Sequence, residues 1–287
     1  MFFFENESVK ENFMRKVLPK ELTSYDLLKA LAIILMITDH VGHHFYPDEM
    51  WFRILGRLCV PIWFFLVGYA KTTELPKRLW IGGLIVAVSG IVAGQYLMPL
   101  NILFTIIVLR YLRGGLVRNG LHSPDALRGI FLVILFMGLP TAILFEYGTM
   151  SMLFVLFGYI VRHKEEVYEK IEPQYVKIFV AISFFSFFLI EGLGLPAVSA
   201  SQAMAMFFGF VGVGWTLWNF RGAVYVDASH HMAPSIIKVI QFMGRRTLEI
   251  YVVHIVIFRA VAMILYPDRY KFLDWHYVPS SLIQMFT

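Results

Sequence analysis

Residues 24–70, SYDLLKALAIILMITDHVGHHFYPDEMWFRILGRLCVPIWFFLVGYA, form two apolar runs joined by a short polar turn. Each run supplies the roughly 20 mostly apolar residues that an α-helix needs to cross a bilayer. The pair reads as a hairpin of two membrane spans. Near one end of it sit Asp39, His40, His43, His44, Arg53 and Arg57. An ionisable side chain at membrane depth costs about 2.5–3.5 kcal/mol on insertion scales. Such a cluster is either a structural ion pair that locks the hairpin or a reaction centre, and we read it as the latter.

The rest of the chain supports a membrane setting. Of 287 residues, 58% are hydrophobic and only 16% charged, which is the composition of a polytopic membrane protein and not of a soluble domain. The net charge of +5 matters by its placement, and no nucleic-acid partner is expected. The single cysteine, Cys59, excludes an intramolecular disulfide framework and a Cys-rich metal site. No small-residue cleavage site follows the first apolar run, so 26–45 is read as a retained span. Thr23 or Ser24 suits its N-cap, and Asp26 its first turn.

The expected fold class is all-α, a polytopic membrane helix bundle of about nine (8–10) transmembrane helices. Spans are expected near 26–45, 51–70, 78–98, 101–113, 127–146, 148–162, 176–192, 199–219 and 247–266. Apart from Arg53, Arg57, Arg259, Arg269 and Lys271, every Lys and Arg falls on one side of this arrangement. The opposite loops 46–50, 98–100, 146–149 and 192–198 carry none. The positive-inside rule then places the N-terminus in the cytosol. The organisation is a cytosolic segment 1–23, a transmembrane domain 24–266, and an extracytoplasmic tail 267–287 holding Trp275, Tyr277 and Phe286. Within 222–246, SIIKVIQFMG reads as an interfacial helix ended by Gly244.

A rise of 1.5 Å per residue places His40 roughly 7–8 Å below the outer end of span one, and Arg57 roughly 9 Å below the start of span two. A short turn makes the spans antiparallel neighbours, so acid, imidazole and guanidinium groups share one layer. Asp39 and His40 point about 100° apart on a helix. Asp39 is therefore placed to pair with Arg53 or Arg57 and leaves His40 free for proton chemistry. His40 and His44 have the spacing of a one-faced metal pair, yet no Glu completes an H-E-x-x-H motif, and no metal is expected. Asn101 and Thr105 open span four, where they serve either substrate or packing. Glu146 and Glu191 close spans five and seven, as caps or acceptor contacts. His254 lies roughly 10 Å up from the inner end of span nine, deeper toward the cytosol than His40.

These residues resemble a family. Asp26, Lys29 three later, an apolar run and then His40 resemble the opening helix of the acyltransferase-3 superfamily, in which the basic residue is usually Arg. LLKALAIILMITDHVG (27–42), RILGRLCVPIWFFLVGYA (53–70) and NILFT (101–105) more closely resemble the TraX family of membrane acetyltransferases, named for conjugative-pilin acetylation. GRRTLEIYVVHIVIF (244–258) resembles the last helix of acyltransferase-3 proteins, with His254 in the matching place. The likeness is good over 24–112 and weak over 244–258.

The resemblance implies transfer of an acetyl group from acetyl-CoA to an acceptor. The acceptor would be a pilin-like protein N-terminus or a cell-surface carbohydrate, at the bacterial inner membrane. His40 would act as general base on an acceptor amine or hydroxyl, or as a transient acyl carrier. Arg53 or Arg57 would stabilise the oxyanion. Lys71, Lys77, Arg110 and Arg113 would grip the phosphates of acyl-CoA, unless they serve only to set topology. Asn101, Thr105 and His254 would contact substrate. The expected partners are the lipid bilayer, acyl-CoA and an unidentified acceptor. The competing class is a transporter or channel using Asp39, His40, Arg53 and Arg57 as a proton or anion pathway. Such proteins often carry internal repeats, and none is visible in this sequence.

Overall fold

The computed structural model describes residues 19–195 and 198–278. The expectations for 1–18, and for Phe286 in the tail, lie outside the described residues. In chain order the helices are α1 (Ser24–Phe45), α2 (Met50–Arg57), α3 (Cys59–Tyr69), α4 (Lys77–Val92), α5 (Ile102–Gly120), α6 (Pro124–Ala142) and α7 (Ser151–Arg162). They continue as α8 (Lys164–Tyr168), α9 (Pro173–Leu193), α10 (Ala200–Trp218), α11 (Val226–His231), α12 (Pro234–Arg245) and α13 (Thr247–Leu265). The strands β1 (Leu22–Thr23) and β2 (Val224–Tyr225) pair antiparallel, with Leu22 opposite Tyr225.

The first helix starts where the sequence places it. The Thr23 hydroxyl accepts from the Asp26 N–H at 3.1 Å, and the Asp26 carboxylate accepts from the Thr23 N–H at 3.1 Å. This reciprocal capping box satisfies backbone donors that the first turn leaves open. Arg245 then clamps the same carboxylate, with Nε and Nη2 each 3.1 Å from an Asp26 oxygen. Gly244 does not end its helix, as the sequence suggested. It lies inside α12 against the Asp26 backbone, where a Cβ would collide. The end of α12 is thereby bolted to the start of α1.

Met50–Tyr69, Pro173–Leu193, Ala200–Trp218 and Thr247–Leu265 are long and apolar enough to cross a bilayer. Together with the apolar exterior they mark a membrane protein. The expectation of about nine spans goes beyond these four, and α1, α4, α5 and α7 fall short for visible reasons. Helix α1 carries Lys29, Asp39, His40, His43 and His44 within its 22 residues. Helix α4 has 16 residues and α7 has 12, against the roughly 20 that a span requires. Helix α5 reaches Gly120, past the expected 113, and so carries Arg110, Arg113 and Arg118. The expected single helix 51–70 breaks at Leu58. Pro61 has no N–H for the carbonyl four residues back, and that residue is Arg57.

Helices α3 and α7 form the tightest crossing. A Cβ on Gly158 would overlap the Phe65 carbonyl, and one on Gly68 the Val155 carbonyl. Small residues let two backbones meet in this way, as in membrane helix pairs generally. Around the crossing, Phe64, Phe65, Phe154, Phe157, Phe187 and Phe210 are fully buried. Outward-facing residues are apolar too, including Leu132, Phe136, Phe208, Trp215 and Ile264. So large an exposed apolar surface matches lipid and would be an aggregation hazard in water.

Candidate active site

The hairpin forms the ion pair that its geometry requires. Arg53 Nη1 lies 2.6 Å from Asp39 Oδ2 and 3.2 Å from the Asp39 carbonyl oxygen. Gly56 makes this approach possible, because a Cβ there would overlap Asp39. Asp39 Oδ1 is buried without a hydrogen-bond partner among the described residues. Asp39 does not orient His40. That role falls to a residue on another helix.

His40 Nδ1 lies 2.7 Å from His254 Nε2, with the two rings stacked at 5.0 Å. The direction of the proton follows from the next bond. His254 Nδ1 is 2.7 Å from the Ile250 carbonyl oxygen. A carbonyl only accepts, so His254 Nδ1 carries the proton. A neutral His254 then presents a lone pair at Nε2, and His40 Nδ1 donates to it. His40 Nε2 is left unprotonated, and no described residue donates to it. A hydrogen-bonding partner of this kind fixes both tautomer and ring orientation. His254 was expected deeper toward the cytosol than His40. It lies at the level of His40, close enough for the two rings to stack. His44, the other half of the suggested metal pair, is engaged separately, with Nδ1 2.8 Å from Tyr270 Oη.

Arg57 does not share Asp39. Its Nε faces Glu191 Oε2 at 3.2 Å, an ion pair whose angle falls short of a straight hydrogen bond. Its Nη1 donates to Tyr147 Oη at 2.9 Å. In the sequence Glu191 is a helix-end residue and Tyr147 an ordinary aromatic, and nothing local marks either as an arginine partner. The one local sign at Tyr147 is conformational, a left-handed backbone with φ of 65°.

Asn101 and Thr105 are occupied by protein groups. Asn101 Oδ1 caps α5 through the Leu103 N–H at 3.2 Å, and its Nδ2 donates to the Gly83 carbonyl at 3.0 Å. Thr105 Oγ1 donates to the Glu146 carbonyl at 3.0 Å, and a Glu146 carboxylate oxygen accepts the Ile102 N–H at 2.9 Å. Asn101→Ala is accordingly expected to lower stability by about 1 kcal/mol through the lost cap. A thermal melt in detergent should drop while substrate affinity holds; a large affinity loss with an unchanged melt would contradict this placement.

A cavity of about 330 Å³ joins these groups to one end of the bundle. Its mouth is framed by Tyr25, Lys29, Ala70, Pro76, Arg78 and Arg110, and its inner wall includes Asp39, His40, Glu146, Tyr147 and Tyr251. Along α1, His40 stands about 16 Å in from Lys29 at 1.5 Å per residue. The size suits a small-molecule site. Arg110 Nη1 donates to the Glu74 carbonyl at 2.7 Å, and Arg78 is 3.9 Å from Glu249. Lys29 forms no ion pair among the described residues.

The other predicted cations lie elsewhere. Arg113 donates to the Val67 and Ala70 carbonyls at 3.1 and 2.7 Å, and Arg162 to the Tyr69 carbonyl at 2.7 Å. Both thus cap the open C-terminal carbonyls of α3. Lys71 is exposed beyond that helix end. Neither Arg53 nor Arg57 lines the cavity. Lys29 and Arg78, which the sequence reading did not assign to substrate, do line it.

Among known proteins, the family described as TraX protein matches residues 24–262. An uncharacterised protein of Rickettsia prowazekii (strain Madrid E) is 26% identical over 154 residues, covering 52% of this chain and 60% of that relative. No solved structure matches. With most of its length matched, bundle and site included, the chain belongs to the TraX protein family.

Proposed function

We propose that this protein is a membrane acyltransferase that moves an acetyl group from acetyl-CoA to an acceptor amine or hydroxyl. Membership of the TraX family supports this reading, as does the wider likeness to acyltransferase-3 proteins. The observation that carries it is a single cavity with cations at its mouth and, at its inner end, a histidine whose Nε2 is free as a base. In this reading the mouth and the N-terminus face the cytosol of a bacterial inner membrane. The acceptor is a pilin-like protein N-terminus or a cell-surface carbohydrate, arriving from the opposite face or from within the bilayer.

Lys29, Arg78 and Arg110 hold the donor's phosphates. Arginine forks and a lysine point charge both suit phosphate oxygens. The thioester arm extends inward along α1 toward His40. As the acceptor attacks the carbonyl carbon, His40 Nε2 takes its proton, and the bond to His254 Nε2 stabilises the resulting imidazolium. His254 is a positioning residue, and Asp39 neutralises Arg53 beside the site.

Lys29→Ala and Arg110→Ala test the donor site. Each is expected to raise the KM for acetyl-CoA about tenfold, the worth of one charge-assisted hydrogen bond, with kcat largely kept. Added salt should shrink the difference by screening. Titration calorimetry with acetyl-CoA and thiol-release kinetics report both quantities. Unchanged affinity in both variants would remove the donor from this mouth.

A further inference from the structure

We propose that Tyr147 donates the hydrogen bond that holds the thioester carbonyl oxygen as negative charge develops on it, with Arg57 and Glu191 as positioning residues behind it. This rests on the acyltransferase reading. The sequence resemblance would give the oxyanion role to Arg53 or Arg57, yet neither side chain lines the cavity. Tyr147 does.

Three observations converge on this phenol. The first is the direction of its hydrogen bonds. A guanidinium has no acceptor, so Arg57 Nη1 donates to Tyr147 Oη across 2.9 Å. The phenolic hydrogen is not used in that bond, and no described residue accepts it. The second is polarisation. A cation bonded to the phenol oxygen makes the O–H a stronger donor, and Glu191 at 3.2 Å holds that cation in place. The third is the backbone. Tyr147 has φ of 65° and Gly148 φ of 45°, in a region that a bulky L-residue rarely adopts. Such outliers persist where the surroundings over-determine them, and they cluster at functional sites. Here the ring is seated between Phe64 and Phe187, at 5.8 and 6.3 Å between centroids. Helix α2, the turn before α7 and helix α9 thus converge on one hydroxyl at the cavity wall.

The step balances as follows. The acceptor's lone pair bonds to the carbonyl carbon while the C=O π pair moves onto oxygen, which receives the Tyr147 O–H. His40 Nε2 takes the acceptor's proton. The oxygen pair then re-forms the double bond and the C–S bond breaks. The sulfur leaves with that electron pair and takes the proton from His40.

Tyr147→Phe removes one hydroxyl and keeps the ring. The expected result is a fall in kcat for thiol release of about 10²–10³-fold, the range for loss of one oxyanion donor, with little change in the KM for acetyl-CoA. Arg57→Lys should lower kcat on its own but add little to Tyr147→Phe, since Arg57 acts through the phenol. A purely structural knot would change folded yield and leave kcat of the folded fraction intact. If the Phe variant is not monodisperse, 3,5-difluorotyrosine at 147 serves instead; it keeps ring and O–H, strengthens the donor, and should raise kcat. Wild-type kcat in Tyr147→Phe, or in the fluorinated protein, overturns the proposal while His40-dependent turnover leaves the acyltransferase reading standing. Wild-type protein with no turnover overturns both.

Discussion

Replacing His40 with alanine is expected to lower thiol release from acetyl-CoA by about 10²–10⁴-fold, the usual contribution of a positioned general base. The argument comes from the hydrogen-bond chain. The Ile250 carbonyl fixes His254, His254 fixes His40, and His40 lines the cavity with Nε2 as the nitrogen of this pair left to accept a proton. The stability loss should be about 1–3 kcal/mol, because His254 keeps its bond to Ile250 while its buried Nε2 loses the His40 donor. His254→Ala should cost less in rate than His40→Ala, since it removes the orienting partner and not the base. The double variant should be no slower than His40→Ala alone. Steady-state kinetics on protein with an unaltered size-exclusion profile check all three. Wild-type turnover in folded His40→Ala protein would contradict the assignment.

Arg57→Ala is expected to destabilise the fold by about 3–5 kcal/mol, because it strands a buried carboxylate. Arg57 and Glu191 side chains are 18% and 12% exposed and face each other at 3.2 Å. The same guanidinium lies over the Tyr147 ring, 5.7 Å from its centroid. Its removal frees α2 from α9 and leaves Glu191 without its counter-ion in a low-dielectric setting. Pairing Arg57→Met with Glu191→Leu should restore most of the loss, since an apolar pair of similar volume often replaces a buried ion pair without penalty. The exposed Lys170–Glu166 pair, at 3.2 Å, should matter by no more than about 1 kcal/mol when broken. Thermal melts in one detergent rank the variants. A melt of Arg57→Ala equal to wild type would show the ion pair to be inconsequential.

Parts of this site are legible in the sequence because they are local. Thr23 and Asp26 cap the first helix through contacts three residues apart. Asp39 meets an arginine of α2 because a short turn fixes two antiparallel neighbours, though only packing at Gly56 decides that the partner is Arg53. The long-range members are not legible. His40 and His254 are 214 positions apart, and their contact depends on how α13 packs against α1, which no local pattern encodes. Arg110 and Arg113 share a helix and a residue type. One lines the cavity and the other caps α3, a division set by the crossing of α3 and α5. Tyr147 looks like an interfacial aromatic until its backbone turns it toward Arg57. The break at Leu58 was readable from Pro61, and reading the apolar run as continuous concealed it.

The most direct test is thiol release and acceptor acetylation by wild-type and His40→Ala protein in proteoliposomes, supplied with acetyl-CoA and a crude acceptor extract under no imposed ion gradient. The expected result is thiol release that requires His40, with acetylated product appearing in step. No thiol release from acetyl-CoA, with ions moving through the same proteoliposomes once a gradient is imposed in a second arm, would contradict the account and identify the charged hairpin as a transport pathway.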